Sequence, residues 1–364
     1  MSSTPLPGLP AVKRTKDQAI HIGARLEDKL HAYRMEAARK RGGVQTVLSF
    51  TGYGSTTWVR VLGRVVLAKP GKLAARSGES AKALRDGVRG WRNFTSPPVN
   101  DAVVCIEVGT EKHLVTADRG GVIDVVLPAS LAPGWTTVTL RPEAEPEAAA
   151  AVSPVFIVDP GARTGVISDI DDTIMVTALP RPLLAAWNTF VLDEHARTPT
   201  PGMAVMMDRL ARENEGNPVF YLSTGAWNVA PALTRFITRN LYPAGPLLLT
   251  DWGPTRDRWF RSGPEHKRTQ LERLAVEFPE ISWLLIGDNG QHDEQIYAAF
   301  SRSHPENVRA VAIRELSPGE AVLAGGRSAG RAGEQPRDIP WIYAPDGAGM
   351  SRQLSELGLL PDAV

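Results

Sequence analysis

Three carboxylates and a hydroxyl follow an apolar approach in the stretch Gly165-Val166-Ile167-Ser168-Asp169-Ile170-Asp171-Asp172-Thr173. Gathering such groups in a folded chain is costly unless a cation or a reaction uses them. In an extended segment, side chains two apart share a face, so Asp169 and Asp171 are expected to converge at a strand end. Two converging carboxylates repel, raise one pKa, and either attract a hard divalent cation or divide acid and nucleophile roles between them. A β-turn with solvated Asp residues is the ordinary alternative for an isolated run of this kind.

The polar groups downstream argue against that turn. Val219-Phe220-Tyr221-Leu222 runs into Ser223-Thr224-Gly225, whose hydroxyl and neighbouring N–H groups suit a phosphate oxygen. Ser262 and Glu265 have capping-box spacing and Pro264 suits a first turn, which places Lys267 near a helix N-terminus. The helix dipole disfavours a cation there, so an anion is expected beside it; a solvated lysine is the plain alternative. Trp283-Leu284-Leu285-Ile286 leads into Gly287-Asp288-Asn289-Gly290-Gln291-His292-Asp293. The glycine permits a sharp turn, and Asp288 is placed to join Asp169 around a metal.

The elements that must position these groups follow from periodicity. Residues 1–42 read as a disordered start and an amphipathic helix, with Ile22, Leu26, Leu30 and Tyr33 at helical spacing and Gly42-Gly43 as its stop. Residues 43–141 carry short period-two strands and read as a small all-β sandwich, interrupted by a helix over 73–94, with Asp118-Arg119-Gly120-Gly121 as a hairpin turn. Residues 142–154, PEAEPEAAAAVSP, read as an inter-domain linker. Residues 155–316 alternate apolar strands, beginning with Val155–Val158, with helical patterns, and this predicts a parallel sheet with helices on both faces. Residues 317–364 read as a flexible tail with a short terminal helix.

Bulk composition narrows the classes. The chain has 364 residues, 43% hydrophobic and 22% charged, which is ordinary for a globular protein of two domains. Lys and Arg number 41 against 40 acids, so no general attraction to a polyanion is expected and no nucleic-acid partner is assigned. Cys105, the single cysteine, excludes an internal disulfide and reads as an inert strand thiol between Val104 and Ile106. With no secretory apolar region after the first charges and no bilayer-length apolar run, the expectation is a cytoplasmic protein, with peripheral membrane contact left open.

Taken in order, Asp169-x-Asp171-x-Thr173, Ser223, Lys267 and Gly287-Asp288-x-x-x-x-Asp293 resemble the four motifs of the haloacid dehalogenase (HAD) superfamily of phosphohydrolases. Within it, SDIDDT, Ser223-Thr224-Gly225-Ala226-Trp227, His266-Lys267 and GDNGQHDEQIY are similar to the phosphatidate phosphatase family named for a yeast actin-patch protein. The resemblance implies an α/β fold with a HAD-like doubly wound parallel sheet over 155–316, behind the β domain. It also implies a Mg²⁺-dependent phosphomonoesterase. Asp169 would be the nucleophile, Asp171 the acid and base, Ser223, Thr224, Gly225 and Lys267 the phosphate binders, and Thr173 and Asp293 the supports. The metal would be held by Asp169, the main-chain carbonyl of Asp171, and Asp288.

Relatives of this kind enclose small substrates with inserted caps; here 174–202 is too short for an independent core, and 224–266 is already occupied by a helix and a strand. An open site is expected, suited to a bulky phosphomonoester such as phosphatidate in lipid metabolism. Arg256, Arg258, Trp259 and Arg261 would form a substrate lip, with Leu179–Trp187 as a second one, both suited to anionic head groups. The alternatives are a phosphatase for soluble or protein phosphomonoesters, and an inactive phosphatase-fold module that binds a membrane or a protein.

Overall fold

A computed structural model of the chain describes residues 33–69, 96–177, 197–212, 216–250, 263–290, 292–323, 326 and 335–360. Residues 33–40 are helical, and Gly42, at φ +77°, closes that helix by donating to Arg39 O while Gly43 donates to Ala38 O. Period-two patterning then gives β1 (Val44–Ser55) and β2 (Trp58–Ala68), an antiparallel pair with Ser55 opposite Trp58. Within it Gly52 lies so near the facing strand that a Cβ would stand 2.4 Å from Arg60 O. The same half supplies β3 (Val103–Val108), β4 (Glu111–Thr116), β5 (Val122–Pro128), β6 (Gly134–Pro142) and β7 (Ala151–Ile157).

These seven strands form one sheet, ordered β4-β3-β6-β7-β1-β2-β5. All its pairings are antiparallel except β1 with β7. Its edge strands β4 and β5 lie against each other, so the sheet curls into a nearly closed barrel around Val59, Val61, Val104, Ile106, Ile123 and Leu140.

The second half begins with β8 (Thr164–Asp169), followed by the short antiparallel ribbon of β9 (Met175–Thr177) and β10 (Arg197–Pro199). Next come α1 (Met203–Arg212), β11 (Val219–Ala226), α2 (Ala230–Arg239), β12 (Leu247–Thr250), α3 (Gly263–Glu277), β13 (Ser282–Asp288), α4 (Asp293–Ser303), β14 (Val308–Arg314), α5 (Pro318–Leu323), β15 (Trp341–Ala344) and α6 (Gly347–Glu356). The six longer-range strands pair side by side and parallel in the order β12-β11-β8-β13-β14-β15. One core joins this sheet to α1, α2, α6 and to Leu48, Phe50, Leu62, Val66 and Ala68 of the barrel. A second joins it to α3, α4 and to Tyr53 and Phe156 of the barrel.

The class expected from the sequence, a HAD-like doubly wound α/β protein behind a small sandwich, is therefore corrected. The chain is mostly β: its larger sheet is the curled seven-stranded one, and strand residues outnumber helical ones among the described residues. The β region is not two packed layers, because β1 and β7 join its two halves edge to edge. Residues 142–154 are not an inter-domain linker: 143–150 connect β6 to its antiparallel neighbour β7, which begins at Ala151 and takes in Val155–Ile157. Asp118 does accept from the N–H groups of Gly120 and Val122, but the turn joins two edge strands that are not paired as a hairpin. The tail expected over 317–364 contains β15, which lengthens the second sheet, and α6, which packs on it. The helix expected over 73–94 lies outside the described residues, as does the start of the N-terminal one.

Candidate active site

Parallel pairing brings the polar ends of three strands to one edge. Leu222 of β11 is in register with Asp169 of β8, so Ser223 follows one residue beyond. On the other side Ile286 of β13 faces Ser168, so Asp288 emerges beside Asp169. These are the carboxyl ends of the strands, where open sheets of this kind bind ligands.

β8 stops at Asp169, and the chain then folds into a tight loop in which the N–H groups of Thr173, Ile174 and Met175 all donate to Ile170 O. Asp172 takes φ +61° inside it. Thr173 Oγ1 donates to Asp169 Oδ2 at 2.9 Å. Because the strand has ended, Asp171 does not share the direction of Asp169: it accepts from Ser223 Oγ at 2.9 Å, and Gly225 N–H donates to the same hydroxyl at 2.9 Å.

Lys267, in the second turn of α3, lies 2.6 Å from Asp169 Oδ1 and 2.5 Å from Asp293 Oδ1. The anion expected beside a cation near a helix N-terminus is thus a pair of carboxylates. Burial works against the lysine charge, but Asp169, Asp293 and Asp288 outweigh it and keep the ammonium protonated above its ordinary range. Asp169 is pushed well up by burial, with Lys267 opposing and the neighbouring carboxylates reinforcing the rise. Asp288 is raised to about 7, first by burial and then by Asp293, against Lys267 and the N–H of Gly290.

Asp169, Asp288 and Asp293 place one oxygen each within 4.8 Å of one another, all buried. Three carboxylates facing one ammonium leave negative charge in a dry setting, and this donor set fits a hard divalent cation. The grouping adds Asp293, expected only as a support, to Asp169 and Asp288; the carboxylate of Asp171, of which only the main-chain carbonyl was expected to meet a metal, accepts from Ser223. Gly287 makes room for it: a Cβ there would stand 2.7 Å from Asp293 Oδ2.

Of the remaining expected residues, Thr224 is exposed on β11 and packs over Gly263, where a Cβ would come within 2.7 Å of its methyl. Thr250 Oγ1 donates to the carbonyls of Thr224 and Gly225 at 3.1 and 3.2 Å and fixes that strap. Arg256, Arg258, Trp259 and Arg261 lie outside the described residues, as do Leu179–Trp187 and the capping Ser262.

Sequence reasoning missed Arg314. This buried guanidinium ends β14, donates to Asp172 O at 2.8 Å and to Pro345 O at 3.2 Å, and pairs with Glu320 at 2.7 Å. A charged residue directly after the apolar run Ala310–Ile313 is the same signal that marked Asp169 and Asp288.

Residues 164–315 match the family model described as phosphatidate phosphatase APP1, catalytic domain. The phosphatidate phosphatase APP1 of Saccharomyces cerevisiae is 25% identical over 151 residues, 41% of this chain and 25% of that protein. An uncharacterised protein of Schizosaccharomyces pombe is 28% identical over 160 residues, 42% of this chain and 25% of its own length. The matches thus span about a quarter of the length of these relatives. Among solved structures, a carbohydrate acetylesterase from Xanthomonas citri aligns over 78% of this chain and 73% of its own at 10% identity, with a TM-score of 0.28, too low to carry an argument.

Proposed function

From the match of residues 164–315 to the phosphatidate phosphatase APP1 catalytic-domain model, we propose that the chain is a Mg²⁺-dependent phosphomonoesterase acting on phosphatidate or a similar lipid phosphate. The observation that carries this reading is the buried meeting of Asp169, Asp288 and Asp293 with Lys267 at the carboxyl edge of the second sheet.

Asp169 attacks phosphorus through a carboxylate oxygen while the bond from phosphorus to the ester oxygen breaks, and the leaving alkoxide takes its proton from Asp171. Asp171 then removes a proton from water, which attacks the aspartyl phosphate, releases phosphate and restores Asp169. Thr173 and Lys267 engage the two oxygens of Asp169 and hold its carboxylate plane. Ser223 and the Gly225 N–H exchange their present partners for phosphoryl oxygens, freeing Asp171 for proton transfer. Asp169 and Asp288, with the Asp171 carbonyl and Asp293 beside them, would hold Mg²⁺, which supplies charge to the transferring phosphoryl group when bound.

The test is phosphate release, with Mg²⁺, from an aryl phosphate and from phosphatidate in mixed micelles beside sugar and nucleotide phosphates. Turnover of phosphatidate above the soluble set is expected, with loss of all release in Asp169→Asn. Preference for the soluble esters would replace the lipid reading, and no release at all would leave a binding module. Independently of activity, Mg²⁺ should raise the thermal midpoint of the protein and fail to do so in Asp288→Asn.

A further inference from the structure

The barrel lies outside the segment that matches the family, yet one of its strands reaches the site from two sides. Phe50, before the bulge in β1, stacks on Trp227 with ring centroids 4.5 Å apart and planes 21° from parallel. Both rings are buried. Trp227 directly follows the strap Ser223-Thr224-Gly225-Ala226, whose other side is held by Thr250. Tyr53, three residues along β1, is fully buried, packs edge-on against Phe220 of β11 at 4.9 Å, and donates from its hydroxyl to Glu277 Oε2 at 2.7 Å. Arg60 of β2 donates to Glu277 Oε1 at 2.6 and 3.1 Å and also pairs with Asp124 of β5. Glu277 ends α3, the helix that carries Lys267 ten residues earlier, about 15 Å along a rigid rod.

We infer that β1 and β2 of the barrel are positioning elements of the phosphate site: Phe50, through Trp227, sets the Ser223 strap, and Tyr53 with Arg60, through Glu277, sets the axial position of the Lys267 helix. The inference rests on the phosphatase reading for the identity of the ligand, inorganic phosphate being its smallest form. An aromatic stack and a half-buried hydrogen-bonded trio of Tyr53, Arg60 and Glu277 hold both attachments at fixed distance, so the groups meant for phosphoryl oxygens are fixed before substrate arrives. The barrel residues act only through others and touch no reacting atom.

The experiment measures the dissociation constant of inorganic phosphate, with Mg²⁺ present, by calorimetry on the full chain, alongside KM and kcat for an aryl phosphate and the thermal midpoint. Phe50→Leu and Trp227→Leu should each weaken phosphate binding by about 3- to 10-fold, the range expected for losing one aromatic pair. The double variant should be no weaker than either single one, because both break the same link. Trp227→Phe, which keeps a ring against Phe50, should bind within about twofold of the unmodified protein. Glu277→Gln should weaken binding on its own and add to Phe50→Leu, since it works through α3. Lower thermal midpoints with unchanged phosphate binding would reduce the barrel to a stabilising part and overturn the inference, as would additive losses in the Phe50 and Trp227 pair. If the unmodified protein binds phosphate without turning over any ester, the phosphatase reading fails while the binding constants still decide the inference. Absence of both phosphate binding and ester turnover in the unmodified protein overturns both.

Discussion

Asp172 sits between two residues assigned to the chemistry, yet its part is conformational. Its φ of +61° is a left-handed backbone that Asn adopts about as readily as Asp, and its carbonyl rather than its carboxylate meets Arg314. Asp172→Asn should therefore keep activity within about threefold, whereas Asp171→Asn, which removes the proposed proton donor, should lose about 100-fold or more in kcat. Equal losses would show that the motif has been divided wrongly. Gly287→Ala tests the room left for Asp293: the added methyl meets Asp293 Oδ2 and Tyr297 Cε2, each at 2.7 Å. It should lower stability by about 1 to 3 kcal/mol in a denaturant titration and remove most of the Mg²⁺-dependent rise in thermal midpoint. At this scale much of the site was legible, because a charged or hydroxyl residue closing an apolar strand is rare without a use. The pairing of Asp171 with Ser223 was not, since it depends on β8 stopping at Asp169 rather than continuing in extended form.

At the scale of elements, the end of β14 is tied to the loop after β8. Arg314 reaches Asp172 O, and Glu320 on α5 holds the guanidinium from the other side. Burial pushes the Glu320 carboxyl up, but hydrogen bonds from Arg314 and Ser317 outweigh this and hold it below the usual Glu range. A carboxyl whose folded-state pKa is depressed gives its full stabilisation above its unfolded value, about 4.3, and loses it as pH falls through the lower folded value. Glu320→Gln should thus cost about 1 to 2 kcal/mol at pH 7, with the difference from the unmodified protein shrinking as pH falls below the ordinary Glu range. A difference constant with pH would show that the charge of Glu320 is not what Arg314 needs. The strand β15 was not legible: four residues between Pro340 and Pro345, after a Gly- and Arg-rich stretch, carry too short a pattern to separate from a tail. Only pairing with β14 reveals it.

The molecule as a whole is organised by sharing rather than by division. Composition shifts suggested a boundary at 142–154, and local patterning gave most strands within a few residues, but neither reports which strand pairs with which. Joining the two halves of the first sheet through the parallel contact of β1 with β7 is a long-range choice, invisible to spacing. Its result is that Leu48, Phe50, Leu62 and Val66 are buried in the same core as Met206, Leu233 and Met350, while Tyr53 and Phe156 share a core with Leu271 and Phe300. Separate cores would let the halves unfold independently; shared ones make each half the wall of the other. Heating should therefore give a single calorimetric transition whose calorimetric and van't Hoff enthalpies agree. Phe50→Leu should lower that transition as a whole rather than split it, because the lost contacts belong to both halves. Two resolved transitions in the unmodified protein, one tracking the barrel and one tracking the second sheet, would contradict this, since they would require the shared cores to open without loss to either side.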